Sequence, residues 1–220
     1  AVENSAADCY ASGLTLINGC FTFDWMTKDK TIDAVHLQLP GRHNVENAVA
    51  AMAIANQLGI DDHKIKAAVE SFRGVKRRFE IVVDNPQATY VDDYAHHPQE
   101  LEAFLKAMRL YRSGKKITCI FQPHLYSRTK DFAGAFARTL AIADKVILMP
   151  IYPARELPIE GVTSDMIAKL MQSGKPEVMS HDEVLSYINT HESDVWCTTG
   201  AGDIDRLVNP IKELLNSKYK

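Results

Sequence analysis

Residues 88–98 read Ala88-Thr89-Tyr90-Val91-Asp92-Asp93-Tyr94-Ala95-His96-His97-Pro98. A run of β-formers leads directly into two aspartates, a tyrosine and two histidines. Pro98 then stands where a helix can start, because the first helical position needs no backbone N–H. A strand that ends in polar side chains and passes into a helix is the repeating step of an open α/β sheet. In such sheets ligands gather beyond the carboxyl ends of the strands, where loops and helix N-termini converge.

Toward the C-terminus the same step recurs. The pattern predicts strands over 79–83, 88–92, 117–121, 145–150, 177–179 and 194–198, with helices over about 98–112, 129–143, 164–173, 181–190 and 203–216. Ser180 and Glu183 have capping-box spacing, and Pro210 should restart or kink the last helix. Strands separated by helices imply βαβ units, hence a Rossmann-like, mostly parallel sheet covered on both faces. The polar clusters follow the strands: Gln122-Pro123-His124-Leu125-Tyr126-Ser127-Arg128 after the third, Tyr152-Pro153-Ala154-Arg155-Glu156 after the fourth, and Thr199-Gly200-Ala201-Gly202-Asp203 after the last. With Asp92 to His97 they put four clusters on one edge, which describes a site.

Toward the N-terminus the texture changes. Residues 9–39 carry short β-rich bursts, and Asn18-Gly19 between two of them is a hairpin signal, so an antiparallel meander is expected. After Pro40-Gly41, apolar spacing predicts a helix over about 43–58 that stops at Gly59, then a second from Asp61-Asp62 through Phe72, ended by Gly74. Lys76, Arg77 and Arg78 mark the expected boundary, giving domains 1–76 and 77–220.

Composition narrows the function classes. The 220 residues are 46% apolar and 24% charged with a net charge of −3, ordinary for a globular protein and without the basic footprint of a nucleic-acid or acidic-membrane binder. No run has the apolar length to cross a bilayer, and the first residues lack the pattern of a signal peptide. Cys9, Cys20, Cys119 and Cys197 form no C-x-x-C pair, so buried thiols in a reducing, cytoplasmic compartment are expected.

Taken singly, each cluster has a plain alternative. Asp92 or Asp93 can begin a turn, and His97 can cap the helix that Pro98 opens. Asp92, Asp93, His96 and His97 can instead be metal ligands of a phosphoesterase. His124 and Arg128, four apart, would face one ligand if helical, or solvent. Gly200-Ala201-Gly202 can cradle an anion or merely allow close packing. Arg77-Arg78 can clamp an anion but reads more readily as a solvated linker.

Joined in order, these strings resemble one family. Gly41-Arg42-His43-Asn44-Val45-Glu46-Asn47 is similar to the G-x-H-N-x-x-N stretch of the Mur ligases, and Arg77-Arg78-Phe79-Glu80 to their R-R-F-E junction. Val91 to Pro98 resembles the V-D-D-Y-G/A-H-H-P of the alanine-adding branch. So do Phe121-Gln122-Pro123-His124 with Arg128-Thr129, Tyr152-Pro153-Ala154, Pro158-Ile159 with Gly161-Val162, and Gly200-Ala201-Gly202-Asp203-Ile204. The likeness runs from about residue 36 to the end.

That resemblance implies an ATP-dependent amide-bond synthesis in peptidoglycan assembly, with L-alanine, UDP-N-acetylmuramate and ATP as substrates. ATP would phosphorylate a carboxylate, and the amine of the amino acid would attack the acyl phosphate. It implies His43 as a ligand of Mg2+, Asn44 and Asn47 as adenine contacts, Arg78 at the ATP phosphates and Asp93 at the ribose hydroxyls. It further implies Tyr94, His96, His124 and Arg128 as the amino-acid pocket, with Arg128 on the carboxylate and a neutral histidine, His96 by preference, taking the ammonium proton. The runner-up within the class is the salvage ligase that attaches a preformed tripeptide.

Two departures stand out. Leu125 occupies a position that is arginine in many relatives, and Arg155 one where glycine is common. No G-x-x-x-x-G-K-[ST] loop occurs: Arg109 stands at the first glycine position before Gly114-Lys115, and Lys169 does so before Gly174-Lys175. Residues 1–76 are therefore expected to be the C-terminal part of a central ATP-binding domain without its phosphate loop, inactive in ligation alone and prone to self-association through uncovered apolar surface.

Overall fold

The computed structural model describes residues 1–172 and 176–219. The last residue of the helix expected over 164–173 lies outside them. Two compact units form, Ala1–Gly74 with Ala107–Ser113, and Val75–Lys106 with Gly114–Lys220.

The first unit opens with the meander: β1 (Cys9–Ile17), β2 (Cys20–Thr27) and β3 (Thr31–His36), antiparallel in that order. Asn18 (φ 51°) and Gly19 (φ 81°) both take positive φ at the β1–β2 turn, the conformation of a two-residue hairpin whose twist matches its strands. Helices α1 (Arg42–Gln57) and α2 (Asp62–Ser71) follow. Phe23 and Trp25 of β2 are buried with Val45, Val49 and Met52 of α1 and Ile65 of α2. The Trp25 indole donates to the Val49 carbonyl at 3.3 Å, so the largest side chain of this core keeps its polar atom satisfied.

The second unit is the α/β sheet. Its strands are β4 (Glu80–Asp84), β5 (Thr89–Asp93), β6 (Ile117–Phe121), β7 (Lys145–Leu148), β8 (Glu177–Val178) and β9 (Val195–Thr199), in the order β4-β5-β9-β6-β7-β8. Among the described residues of this sheet only β4 runs antiparallel to its neighbour; the β5–β9, β9–β6, β6–β7 and β7–β8 pairs are parallel. Every residue of β5, β6 and β9 is buried, as expected when both faces of a parallel sheet are covered. On one face Tyr90, Trp196, Ile120 and Ile147 pack with α6 (His181–Thr190) and α7 (Val208–Lys218). On the other, Phe121 meets Phe136 of α4 (Tyr126–Leu140) with ring centroids 5.1 Å apart.

Several elements differ from the sequence reading for identifiable reasons. Helix α4 begins at Tyr126 rather than 129, because the Glu156 carboxylate of a distant loop accepts the Ser127 N–H at 2.9 Å and also its hydroxyl. That contact satisfies donors a helix start leaves open. The last helix is two pieces, a 3₁₀ turn over Asp203–Leu207 and then α7. Pro210 lies in the first turn of α7, where no intrahelical N–H is required. The short α5 spans Asp165–Leu170, and α3 (Pro98–Tyr111) starts at the proline as expected. Among the described residues no helix is long and apolar enough to cross a membrane.

Candidate functional site

The carboxyl ends of β5, β6 and β9 lie side by side, with Asp93 opposite Thr199 and Phe121 opposite Thr199 in register. The polar clusters that follow these strands therefore converge. Chain direction and strand order alone bring Tyr94, His96, His124 and Arg128 to one edge.

Beneath the site, Asp92 is fully buried. It accepts from the Thr198 hydroxyl at 2.6 Å, and the Arg77 guanidinium Nε lies 3.3 Å from its other oxygen. Burial pushes this carboxyl up to about 6, against the opposing pull of Thr198 and Arg77. Arg77 also donates to the Gly200 carbonyl at 2.7 Å, approaches Asp205 at 3.6 Å and sits 5.0 Å from the Tyr94 ring centroid. The solvated-linker reading is thus corrected for Arg77, whose charge is spent inside the fold. Arg78, next in sequence, is exposed, with its guanidinium 5.6 Å from the Tyr94 ring.

Asp93 holds the neighbouring turn. One oxygen accepts the Phe79 N–H and the other the Ala95 N–H, both at 2.7 Å. These bonds secure Phe79 at φ 47°, a conformation a bulky residue keeps only when its surroundings impose it.

The ring cluster lies above this base. Tyr94 and His96 meet edge to face at 5.3 Å, His96 and His124 at 5.9 Å, and His124 stacks on Tyr152 at 5.8 Å. The 152–156 loop is laced to the end of β6: Tyr152 N–H donates to Pro123 and Leu125 N–H to Tyr152, at 2.8 and 2.9 Å. His124 precedes α4 and Arg128 lies within it, so the pair is not on one helical turn as one alternative required. The break is Leu125 at φ 71°. They are nonetheless neighbours: burial, then the Arg128 charge and His96, hold His124 below the usual histidine range, with Glu156 pulling the other way. At neutral pH His124 is an uncharged imidazole.

Two atoms of this cluster are distinctive. His124 Nδ1 and Arg128 Nη1 are buried and have no hydrogen-bond partner in the protein. Buried polar groups are otherwise nearly always paired, and an unpaired guanidinium nitrogen is costly to keep. Both belong to residues that the resemblance assigns to an amino-acid pocket.

Glu100 fell in no sequence cluster. Its Oε2 accepts the N–H groups of His96 and His97 at 3.1 and 3.3 Å and lies 3.3 Å from His96 Nδ1. The available signal was its place two residues after Pro98, where a glutamate can reach back to the residue that begins a helix. The His97 ring packs on Phe132 at 4.9 Å.

At the end of β9 the glycines serve packing. A Cβ on Gly202 would lie 2.4 Å from Gln122 Oε1 and 2.5 Å from Tyr152 Cβ, and one on Gly200 2.7 Å from the Gln122 carbonyl. Of the two readings of this stretch, close approach is the one realised.

In the first unit, His43, Asn44 and Asn47 occupy the start of α1. His43 and Asn47 are exposed; the Asn44 amide donates to the Pro40 carbonyl at 2.8 Å, leaving its oxygen as acceptor. Among the described residues no three His, Cys, Asp or Glu side chains converge as a metal would need.

Residues 77–202 match the Mur ligase, glutamate ligase domain family. The UDP-N-acetylmuramate–L-alanine ligase of Cytophaga hutchinsonii is 46% identical over 217 residues, covering 99% of this chain and 47% of that protein. The enzyme of the same name from Porphyromonas gingivalis strain W83 is 46% identical over 216 residues, covering 98% and 47%. The crystal structure of the UDP-N-acetylmuramate–alanine ligase of Thermotoga maritima superposes with a TM-score of 0.81 at 28% identity, over 96% of this chain and 46% of that one. The chain spans about half the length of the curated relatives it matches.

Proposed function

The chain belongs to the Mur ligase family, and from that premise we propose that it carries the amino-acid pocket of a ligase joining L-alanine to the carboxylate of UDP-N-acetylmuramate. The observation that carries this reading is the pair of buried, unpartnered nitrogens, Arg128 Nη1 and His124 Nδ1. An amino-acid carboxylate supplies the acceptors and the charge that Arg128 lacks.

The chemistry follows from what an amide bond requires. A carboxylate is a poor electrophile until ATP converts it to an acyl phosphate, whose phosphate then leaves. The incoming amine is nucleophilic only without its extra proton. In this proposal Arg128 binds the L-alanine carboxylate, His124 stands neutral beside it, and His96 accepts the ammonium proton. The C–N bond then forms as the acyl–oxygen bond to phosphate breaks. Tyr94 is proposed to line the pocket, with the Arg77 guanidinium 5.0 Å from its ring centroid.

For ATP, the proposed residues of the first unit are Asn44 and Asn47, at adenine. Those of the second are Arg78, exposed and available to phosphate, and Asp93, whose carboxylate accepts hydrogen bonds of the kind ribose hydroxyls donate. The phosphate-cradling loop is proposed to belong to the portion of the relatives' length that this chain does not span. Magnesium takes one or two protein ligands and completes its shell with phosphate oxygens and water. His43 fits as one such ligand and could not hold the ion alone; the ion would offset phosphate charge.

A metal-dependent phosphoesterase built on Asp92, Asp93, His96 and His97 draws no support from this geometry, since Thr198 and Arg77 engage Asp92 and two main-chain N–H groups engage Asp93. Titrating the 220-residue chain with L-alanine while recording histidine and tyrosine ring NMR signals tests the reading. Shifts confined to Tyr94, His96 and His124 are expected. Silence at tens of millimolar L-alanine, or a larger response to the tripeptide taken by the salvage ligase, would overturn it.

A further inference from the structure

The mechanism just proposed leaves open what makes His96 able to accept a proton at the correct nitrogen. We infer that Glu100 is the positioning residue for this histidine, an inference that rests on the amino-acid reading of the site.

His96 Nδ1 lies 3.0 Å from the Tyr94 carbonyl oxygen. A carbonyl oxygen only accepts, so Nδ1 must carry the hydrogen, and in the neutral ring Nε2 is then the bare nitrogen. The same Nδ1 is 3.3 Å from Glu100 Oε2, so the N–H points at two acceptors, one of them a carboxylate. Glu100 also receives the main-chain N–H of His96 and of His97. One carboxylate therefore fixes the backbone on which the ring is mounted and faces the nitrogen that must keep its hydrogen. These bonds hold Glu100 below the usual carboxylate range against the contrary effect of burial, so it is ionised wherever the site works.

The charged and titratable groups facing His96 are few. Glu100 comes from the start of α3, the Tyr94 ring from the end of β5 and His124 from the end of β6; Arg78, from the turn before β4, acts on Glu100. Of these, only Glu100 offers a negative charge. When the L-alanine ammonium gives its proton to Nε2, the ring becomes a cation with hydrogen on both nitrogens. The Glu100 carboxylate and the Tyr94 carbonyl then flank the positive Nδ1–H. The amine leaves as a neutral nucleophile, and the second proton that its nitrogen sheds as the C–N bond forms goes to the departing phosphate.

A glutamate that merely caps α3 would make the same two main-chain bonds, so stability cannot separate the two roles. The His96 tautomer can. In the uniformly 15N-labelled 220-residue chain, ring 15N spectra should show His96 protonated at Nδ1 and bare at Nε2. Glu100→Ala removes one of the two acceptors and loosens the segment, so the Nδ1–H fraction should fall by roughly half or more toward a free-ring mixture. The His181 signals should stay in place as a control for folding. Glu100→Gln, with an acceptor oxygen at the same reach, should restore the tautomer.

An unaltered chain with hydrogen on Nε2 would overturn the assignment without any variant. A Glu100→Ala spectrum identical to the unaltered one would do the same. Addition of L-alanine separates this inference from its premise. If the tautomer is as stated but L-alanine leaves the ring unmoved, the amino-acid reading fails while the orientation of His96 by Glu100 stands.

Discussion

Arg77 and Asp92 form an ion pair of unequal exposure: Nε lies 3.3 Å from Oδ2, with the arginine side chain 17% exposed and the aspartate fully buried. The pair ties the segment that enters the second unit to the end of β5, and through the Gly200 carbonyl to the end of β9. Removing one member of such a pair costs far more than the pair contributes, because the survivor is left charged and dry. Arg77→Met should destabilise the chain by about 3 kcal/mol at pH 7 in urea unfolding. The loss should shrink at pH 4, where Asp92 is protonated and needs no cation. Equal losses at both pH values would show that Arg77 acts through packing alone.

Asp92 itself makes a signed prediction. Its folded-state value of about 6 lies above the 3.8 of an unperturbed aspartate, so its contribution is greatest below pH 3.8 and is lost as pH rises through 6. Between pH 4 and pH 7 the unaltered chain should lose about 2 kcal/mol relative to Asp92→Asn, which has nothing to ionise. Stability curves of the two proteins that stay parallel across this range would refute the assignment.

Arg128→Met tests the amino-acid pocket from the other side. Without the guanidinium the L-alanine carboxylate loses its charge-assisted bonds, and affinity for L-alanine should fall by about 10- to 100-fold in calorimetric or NMR titration. His124 should become easier to protonate, since the Arg128 charge is one of the causes that hold it down. A weakened L-alanine site with an unmoved His124 titration would separate the two residues.

Gly202 leaves no room for a side chain. Gly202→Ala would press a methyl group against Gln122 and Tyr152, and the Gln122 amide bridges Asp203 and the Ile204 N–H. A loss of about 1–3 kcal/mol is expected. Thermal unfolding of Gly202→Ala beside Gly134→Ala provides the comparison, because the nearest atom to a Cβ at Gly134 is the end of the Arg138 side chain at 3.5 Å.

Local chemistry made much of the fold legible. The all-buried strands at 117–121 and 195–199, the capping box of Ser180 and Glu183, and the Asn18-Gly19 turn each depend on residues close in sequence. Chain order then carried His96, His124 and Arg128 to one edge. Arg77 was misread because its partners Asp92, Gly200 and Asp205 lie far along the chain, and its φ of 60° has no local signature. The start of α4 was misplaced for the same reason, since its cap is Glu156. Glu100 escaped notice because its partners are main-chain N–H groups and one ring nitrogen, and its place two residues after Pro98 signals a helix cap without pointing to the His96 ring.

The position of β9 between β5 and β6 has a consequence for biosynthesis. The strand that joins them leaves the ribosome after both β5 and β6. Until it arrives, β5 and β6 have no common neighbour, and the nascent chain must hold two unjoined sheet fragments with open inner edges. Chaperone capture should therefore be concentrated just before residues 195–199 emerge, and release should follow soon after.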